Sequence, residues 1–461
     1  MPPFCCLNKI KFCWSINNNI IRLCSSSKLY VLDKIKLKLD ENCSGLDSGI
    51  TSKSKVKLPH SMKHYNAVLE YFDSKQCSND IVNKIPIVYM LRKYSSPKVL
   101  YIIDKDMADK MFEAMQPHLF SSNGYLLEVN AGVGLLTKRL LEANIPRLRI
   151  YESNSQLYKE LKKLLAKYDS DARLIKLNLL LLWALIKMDE NDYENRFGAA
   201  FEGMAPCTWE SEPLMKIIIT VSNKNFITQM IYSIIFQSGI CMFGRSELFI
   251  TMPSEEYLKL IAQPSHGFFV YRNSAVLFQL LFEHSLLTTV PEKVFVPWMI
   301  KYKRKRKTEE TDGVMNLVKV TPRKDLFKII PPHLLKPFWF FLRTVTHKRK
   351  AKLIPTLEKW IPGIGVKLIA MGFNIHTPIG SLNPEEYLKV FLEFSSCKEF
   401  STCSFLPAME NVMIRLTNKG MVEQIVTEAT KESKDEIDDG GDASVLVYDD
   451  VDLENFSSKE R

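Results

Sequence analysis

One stretch of sequence, YLLEVNAGVGLLTKRLLEANIPRLRIYES at residues 125–153, limits the possible folds of this chain more than any other feature. An apolar run ends in Glu128, a turn of small residues follows, a helical pattern begins after Gly134, and a second apolar run ends in Glu152. Two strands separated by one helix predict a parallel strand–helix–strand unit. Strand and helix patterns alternate beyond it, so the sequence predicts an α/β fold with a parallel, doubly wound sheet.

The small-residue turn at 130–134 has the properties of a ligand site. Its small residues let the backbone approach a ligand closely, and the helix that follows offers free N–H groups. Glu152, at the end of the second strand, is placed to accept hydrogen bonds from a ribose diol. The G-x-G-x-x-G pattern of dinucleotide sites is absent, and an acid before the turn suits the cationic S-adenosylmethionine better than a diphosphate. An ordinary turn with surface acids is the alternative for this stretch.

The charge balance indicates an anionic partner. The net charge is +10, and the isoelectric point is near 8.9, which is typical of nucleic-acid-binding proteins. The basic runs KYKRKRK and HKRKAK are the densest, although a solvated loop is the alternative for the first. The aromatic run FWFF at 338–341 is predicted to pack in a core. The candidate nucleic-acid contacts are Lys301, Lys303, Arg304, Lys305, Arg306, Lys307, Arg343, Lys348, Arg349 and Lys350.

Changes in composition along the chain predict five segments. Residues 1–32 contain no Asp or Glu but carry spaced Lys and Arg, as in a mitochondrial transit segment; a basic arm without stable structure is the alternative. Residues 33–96 resemble a linker with a helical extension. Residues 97–330 contain the strand and helix alternation, with DGVMNLVKVTP as a late strand, and residues 331–430 look helical, with Asn383 as the cap of a helix in GSLNPEEYL. Residues 431–461 are acidic and poor in large apolar residues, which predicts a disordered tail.

Several classes of site are disfavoured. Ten cysteines are scattered without C-x-x-C spacing, so neither a disulfide framework nor a zinc ribbon is expected. His60 and His64 are four apart but lack a third ligand nearby, so no metal site is predicted. No uninterrupted apolar run reaches the roughly 20 residues of a membrane-spanning helix, and no membrane partner is expected.

The motif LLEVNAGVGLLTKRLLEA…RIYES resembles the opening motifs of the rRNA adenine dimethyltransferases. Asn130 stands where the family has a Gly, and this replacement is similar to the mitochondrial transcription factor B branch of that family. The segments VTPRKDL and MGFNIHTPIGSLNPEEYLKVFLEF resemble its last strand and closing segment, so the likeness covers roughly residues 97–400. The resemblance implies a class I S-adenosylmethionine-dependent methyltransferase domain with a Rossmann-like sheet, followed by a small all-helical C-terminal domain.

The resemblance also assigns cofactor residues. Glu128 and Asn130 fall under the methionine part of S-adenosylmethionine, Glu152 at its ribose, and Asn178 where the family has an Asp near the adenine. Ile102 falls in the short motif before the first strand. The full set of expected cofactor-binding residues is Ile102, Glu128, Asn130, Gly132, Gly134, Glu152 and Asn178.

The catalytic motif of the family, Asn-(Leu/Ile)-Pro-(Tyr/Phe), orients the target amine and stacks on a flipped-out base. The stretch EGMAPCTW is expected to correspond to it, with Gly203 in place of the Asn and Pro206 shifted. Cys207 cannot stack on a base, and Trp209 is the nearest aromatic residue. Loss of the amide acceptor is expected to cost several kcal/mol, or about a hundredfold in rate. The sequence therefore favours cofactor binding and argues against turnover.

These features lead to one main hypothesis and two alternatives. The main hypothesis is a transcription initiation factor of the mitochondrial matrix, at the nucleoid, that assists mitochondrial RNA polymerase in melting promoter DNA. The first alternative is an active mitochondrial small-subunit rRNA adenine N6,N6-dimethyltransferase that uses S-adenosylmethionine. The second is an RNA-binding protein on a methyltransferase-like fold.

Overall fold

A computed structural model describes residues 60–74, 79–91, 93–94, 96–120, 124–267, 269–300 and 313–418. The predicted transit segment, the beginning of the linker, the basic run at 301–307 and the acidic tail lie outside these ranges.

The described strands are β1 Tyr101–Ile102, β2 Tyr125–Val129, β3 Leu148–Tyr151, β4 Arg173–Ile175, β5 Met215–Thr220, β6 Ser246–Pro253, β7 Phe282–Pro291, β8 Phe295–Val296 and β9 Val314–Pro322. A seven-stranded sheet, in the order β4-β3-β2-β5-β6-β9-β7, forms the centre of the described structure. Strands β2 to β6 pair in parallel, whereas β9 runs antiparallel to both β6 and β7. A further pair, β1 with β8, is antiparallel.

The α/β fold class is confirmed, with one correction at the sheet edge. The late strand DGVMNLVKVTP is present as β9, but it and β7 are antiparallel, so the sheet is mixed rather than wholly parallel. Strand β7 did not stand out in the sequence because most of its residues are exposed or half-buried. An antiparallel edge on a mostly parallel sheet is common among large sheets.

Helices cover both faces of the sheet and make up the C-terminal part of the described chain. They are α1 His60–Ser74, α2 Asn79–Lys84, α3 Lys105–Leu119, α4 Leu135–Glu142, α5 Ser155–Leu165, α6 Leu182–Asp192, α7 Arg196–Ala200, α8 Asn225–Phe236, α9 Ser254–Leu260, α10 Asn273–Leu281, α11 Leu326–Ile329, α12 Pro332–Val345, α13 Leu353–Leu357, α14 Ile364–Ala370, α15 Pro384–Ser396 and α16 Phe405–Asn418.

Alternating side chains of the central strands pack into two separate apolar cores, one on each face of the sheet. Leu127 and Ile217 belong to a large apolar cluster that also contains residues of α8, α10, α12 and α15. Leu126 and Ile218 point to the opposite face, into a cluster with α3 and α4. Because successive side chains of a strand point to opposite faces, apolar runs such as KIIIT predict a strand that is buried on both faces.

The N-terminal helices α1 and α2 pack against the central part of the chain through a third apolar cluster. Phe72 of α1 shares this cluster with Tyr101 of β1, Leu157 of α5 and Val296 of β8. Val133, in the small-residue turn, packs against the same cluster. The N-terminal extension therefore covers the side of the molecule on which the small-residue turn lies.

The C-terminal helices continue the large core. The aromatic run at 338–341 is buried throughout, which confirms the prediction that it packs in a core. The predicted cap of α15 is also present, because Asn383 and Glu386 exchange hydrogen bonds at 2.8 Å in a capping box. Among the described residues, no helix combines the length and the apolar character needed to cross a bilayer.

Candidate functional site

The small-residue turn lies at the carboxyl edge of the sheet, where β2 and β3 end side by side. The backbone N–H of Asn130 donates to the carbonyl of Tyr151 at 2.8 Å. The backbone N–H of Gly132 donates to Oε2 of Glu152 at 3.1 Å. Parallel neighbouring strands bring their carboxyl ends together, so the structure places Glu128, Asn130 and Glu152 around one turn.

Glu128 is buried and is held by the helix after the turn. It is 3% exposed, and the hydroxyl of Thr137 in α4 donates to its Oε2 at 2.7 Å. Burial raises the pKa of the Glu128 carboxyl to about 8, the Thr137 hydrogen bond opposes this shift, and the negative charge of Glu152 adds to it. A pKa raised in this way favours the protonated form of Glu128 in the folded protein.

Glu152 is the more enclosed acid, with an exposure of 0%. Its Oε1 accepts hydrogen bonds from the hydroxyl of Tyr101 at 3.2 Å and from the backbone N–H of Asn154 at 2.8 Å, while Oε2 accepts from Gly132. Burial raises the pKa of this carboxyl, and these hydrogen bonds act against the rise. Both carboxylate oxygens are thus engaged within the chain.

Asn130 has an unusual environment for a buried polar side chain. It is 6% exposed, its φ of 56° is in the left-handed region, and neither carboxamide atom has a hydrogen-bond partner in the described structure. An unpaired buried polar group costs about 1–3 kcal/mol. Strained, unpaired groups of this kind concentrate at ligand sites, and the Asn130 amide lies where the resemblance places the methionine part of the cofactor.

The two glycines of the turn are required by their neighbours. Gly132 has a φ of +67°, and a Cβ atom added there would lie 2.9 Å from Cδ1 of Tyr101. Gly134 has a φ of +83°, and its Cβ atom would lie 2.7 Å from Cδ2 of Leu164 in α5. The close neighbour of Gly132 is therefore an aromatic ring of the chain itself.

Two further residues expected at the cofactor have structural partners. Ile102 lies in β1, pairs with Phe295 of β8 and is half-buried against the second core. Asn178 lies just beyond β4, where its side-chain oxygen accepts the backbone N–H of Leu180 at 3.0 Å and caps a short turn. The oxygen of Asn178 is thus engaged in the local turn.

The stretch EGMAPCTW lies at the amino ends of the strands, away from the small-residue turn, and this position argues against the catalytic role expected for Gly203 and Pro206. The carbonyl of Gly203 accepts a hydrogen bond at 2.9 Å from the hydroxyl of Tyr125, the first residue of β2. Gly203 and Pro206 are both exposed, and their segment leads into the amino end of β5. Ligands of open α/β sheets bind beyond the carboxyl ends of the strands, which lie at the other end of β2.

Trp209, the nearest aromatic residue in that stretch, is also committed to structure. It is 8% exposed, its indole N–H donates to the carbonyl of Arg323 at 3.0 Å, and its ring centroid lies 4.5 Å from that of Phe327. Arg245, just before β6, donates to the carbonyls of Trp209 and Ser211, both at 2.8 Å. These contacts fix the segment to the amino edge.

The segment that leaves the carboxyl end of β5 lies beside the turn after β2, and the sequence reasoning missed it. Since Glu128 pairs with Ile218, residues 221–224 emerge next to Asn130. Their sequence, VSNK, contains no Asn-(Leu/Ile)-Pro-(Tyr/Phe) motif. The side chain of Ser222 donates to the carbonyl of Pro97 at 2.8 Å, and the amide of Asn223 donates to Ser96 at 2.7 Å. The position of this segment in the sequence could have identified it. Ligands bind beyond the carboxyl ends of parallel strands, and VSNK follows β5 whereas EGMAPCTW precedes it.

Three of the expected basic contacts, Lys348, Arg349 and Lys350, lie in a turn after α12, whereas Arg343 lies within α12. Lys348 and Lys350 are exposed. Arg349 donates to the carbonyl of Tyr271 at 3.1 Å, so it fixes the turn to the segment before α10. The guanidinium of Arg343 lies 5.5 Å from the ring centroid of Trp339. The basic run at 301–307 lies outside the described residues.

S-adenosylmethionine, which the resemblance implies, does not fit the site in this conformation. The turn and the two acids are arranged as an adenosyl ligand requires, and the unpaired Asn130 amide is free to bind. However, the Glu152 carboxylate that would accept the ribose hydroxyls is enclosed and bound to Tyr101.

As to metals, the described part of the chain contains no group of three or more His, Cys, Asp or Glu side chains suited to hold an ion.

Curated relatives share much of the chain. Dimethyladenosine transferase 2, mitochondrial, from Drosophila melanogaster is 27% identical over 392 residues, which are 75% of this chain and 86% of the relative. The protein of the same name from Bos taurus is 24% identical, over 61% of this chain and 73% of the relative. The Homo sapiens protein of that name is 23% identical, over 65% of this chain and 78% of the relative.

Two solved structures show distant likeness. A dimethyladenosine transferase from Plasmodium falciparum has 13% identity and a TM-score of 0.40, with coverage of 63% of this chain and 95% of that one. The 23S rRNA methyltransferase ErmE has 15% identity and a TM-score of 0.41, with coverage of 64% of this chain and 100% of that one.

The match to a family covers more than half of the chain. The sequence pattern of the ribosomal RNA adenine dimethylases matches residues 91–396. That range begins in the N-terminal extension and ends with α15, so it includes the whole sheet, the turn with its two acids and most of the C-terminal helices. The order of strands and the position of the acids at the carboxyl edge agree with this match, and the chain belongs to the ribosomal RNA adenine dimethylase family.

Proposed function

We propose that this chain is a mitochondrial transcription initiation factor built on an rRNA adenine dimethylase scaffold. In this role it assists mitochondrial RNA polymerase in melting promoter DNA and holds the separated strands on its basic surface. The observation that carries the proposal is the segment VSNK after β5. It lies where a methyl acceptor would have to be held, and it lacks the motif that holds one.

The side chains of this acceptor segment are used inside the protein. Asn223 is its one carboxamide, and this amide donates to Ser96 while its oxygen accepts the backbone N–H of Asn225 at 2.9 Å. Ser222 is bonded to Pro97. Methyl transfer to an exocyclic amine requires a polar group that orients the nitrogen lone pair and a ring that stacks on the base. This segment supplies neither, which supports a role other than methyl transfer.

A basic turn beside the same edge supports nucleic-acid binding. Lys224 of the acceptor segment lies 3.3 Å from the hydroxyl of Ser274 in α10, and Arg349 is bonded to Tyr271 three residues earlier. These contacts place the exposed Lys348 and Lys350 on the flank of the carboxyl edge. Each phosphate neutralised by a cation adds affinity that falls with salt.

Run-off transcription from a linear mitochondrial promoter tests the proposal. Mitochondrial RNA polymerase is assayed with and without this protein, on fully paired promoter DNA and on the same promoter with a pre-opened bubble. A melting factor increases the transcript from paired DNA and has much less effect on the bubble template. Equal transcription of paired DNA in its presence and absence contradicts the proposal.

A charge variant tests the basic turn. In Lys348→Ala/Lys350→Ala, loss of two phosphate contacts lowers the slope of log affinity against log salt by about 2. The matched control is Lys159→Ala/Lys162→Ala, which removes the same charge from exposed positions of α5. Identical salt slopes for the two double variants would argue against DNA binding at this turn.

Methyl transfer to rRNA is the second candidate, because the curated relatives are named dimethyladenosine transferases and the two acids meet at the turn. Incubation with labelled S-adenosylmethionine and a hairpin of mitochondrial small-subunit rRNA measures it directly. Robust labelling of adenine that Glu152→Ala abolishes would establish this candidate and displace the scaffold role.

The remaining parts of the proposal follow from the family and the relatives. The relatives are named mitochondrial, so the proposed site of action is the mitochondrial matrix, at the nucleoid. The proposed partners are mitochondrial RNA polymerase and promoter DNA, with small-subunit rRNA as the partner in the second candidate. We also propose the division into a methyltransferase-like domain at 97–330 and a helical domain at 331–430.

A further inference from the structure

We infer that Tyr101 occupies the ribose position of the cofactor site and thereby weakens the binding of adenosyl ligands to this chain. The inference goes beyond the proposed function, because it concerns what fills the pocket rather than what the surface binds. It rests on two contacts of one side chain. The hydroxyl of Tyr101 donates to Oε1 of Glu152 at 3.2 Å, and its ring lies directly over Gly132.

The hydrogen bond from the Tyr101 hydroxyl to Glu152 has the same donor chemistry as the hydrogen bond expected from a ribose hydroxyl. An acid at the end of the second strand accepts hydrogen bonds from a ribose diol, and each diol hydroxyl donates an O–H just as a phenol does. In this chain Oε1 of Glu152 already receives the phenol of Tyr101 and the N–H of Asn154, while Oε2 receives the N–H of Gly132. Glu152 is also 0% exposed, so a ribose has to displace Tyr101 before it reaches the carboxylate.

The ring contact uses the space that the glycine leaves. A glycine in such a turn allows a ligand to approach the backbone closely. Here the atom nearest to a Cβ built on Gly132 is Cδ1 of Tyr101, at 2.9 Å, followed by other atoms of the same side chain at 3.4 Å. The open space above Gly132 is thus filled by the protein.

The N-terminal extension holds Tyr101 in this position. The ring of Tyr89 lies 5.3 Å from that of Tyr101, and the amide of Asn154 lies 3.5 Å from the hydroxyl of Tyr89. Tyr101 itself is 1% exposed and belongs to the third core with Phe72 of α1. Release of the tyrosine therefore requires loosening of packing between the extension and the turn.

Binding of labelled S-adenosylmethionine to the full chain, measured by equilibrium dialysis, tests the inference without any transcription or methylation readout. If the closed form is favoured by a factor of ten, wild-type affinity is reduced by about tenfold. We therefore expect Tyr101→Ala to bind S-adenosylmethionine at least about tenfold more tightly than wild type, because both the ring and the competing hydroxyl are gone. Tyr101→Phe, which keeps the ring, gives a smaller increase.

Two controls make the result specific. Tyr65→Ala removes a buried tyrosine from the same core without touching Glu152, and it leaves affinity at the wild-type level. Glu152→Gln added to Tyr101→Ala abolishes the gain, since the gain depends on a freed carboxylate. Circular dichroism checks folding, and Tyr101→Leu replaces Tyr101→Ala if the alanine variant does not fold.

The inference is overturned if wild type and the folded Tyr101 variants have the same affinity, whether all bind or none does. It is also overturned if Tyr65→Ala gains as much as Tyr101→Ala, because general loosening of the core would then be responsible. Failure of the promoter assay leaves this measurement unaffected, so the two proposals stand or fall separately.

Discussion

Replacement of Glu128 by glutamine should make the protein less sensitive to alkaline pH. Glutamine has nearly the same shape as a protonated glutamic acid, and its side-chain oxygen can still accept the hydrogen bond of Thr137. In the wild type, the folded-state pKa of Glu128 is raised by burial to about 8, from an ordinary value of 4.5. Glu128→Gln removes this titration and leaves the surrounding packing in place.

The sign and size of the effect follow from proton linkage. Between pH 4.5 and 8 the folded state keeps the proton on Glu128 while the unfolded state has released it, so stability falls as pH rises through this window. Each pH unit inside the window corresponds to about 1.4 kcal/mol. From pH 5 to pH 8.5, the free energy of unfolding of Glu128→Gln should therefore rise relative to wild type by about 4 kcal/mol.

Urea denaturation at fixed ionic strength, at half-unit steps from pH 5 to 8.5, measures this difference. The quantity of interest is the variant minus wild-type free energy at each pH, because contributions from other groups largely cancel. Glu113→Gln is the matched control, since Glu113 is an exposed acid on α3. Its difference from wild type should stay flat across the series.

A difference between Glu128→Gln and wild type that is flat, or that shrinks as pH rises, would refute the reasoning. Either result would mean that Glu128 is ionised in the folded protein at neutral pH. The negative charge at the turn would then be available to a cationic ligand, and Glu128 would not be a mainly protonated acid in the folded protein.

Three further substitutions have defined outcomes in urea denaturation. Gly132→Ala should destabilise the protein by about 1–3 kcal/mol more than Gly267→Ala, since both have positive φ but only Gly132 has a close neighbour, at 2.9 Å; equal losses would contradict the contact. Asn383→Ala should cost about 1 kcal/mol through loss of the α15 cap, and no loss would show that the cap is dispensable. Arg245→Met should cost about 3 kcal/mol or more, because buried carbonyls lose their donors; a loss under about 1 kcal/mol would contradict this.

Local sequence patterns were sufficient to predict the strands, helices and turns of the fold. The apolar runs that end in Glu128 and Glu152, and the turn between them, predicted a strand–helix–strand unit that the structure contains. The cap at Asn383 and the burial of FWFF were likewise predicted from neighbouring residues. These features are readable because helix and strand periodicity, caps and turns depend on residues a few positions apart.

Placement of loops at one edge or the other depended on the directions of whole strands. EGMAPCTW and VSNK flank the same strand, β5, yet they lie at opposite ends of the sheet. Sequence similarity to a short motif does not contain that information. Parallel pairing of β5 with β2 settles it, because only the segment after β5 reaches the turn at Asn130.

The sequence by itself determined that this chain has an α/β sheet, an acid-flanked small-residue turn and a helical C-terminal part. Only the tertiary structure decided that the acid at Glu152 is enclosed, because its partner Tyr101 is 51 positions earlier in the chain. Whether a polar side chain meets a ligand or another residue depends on what the folded chain brings to it. Local sequence fixes the side chain and its backbone, while long-range packing fixes its partner.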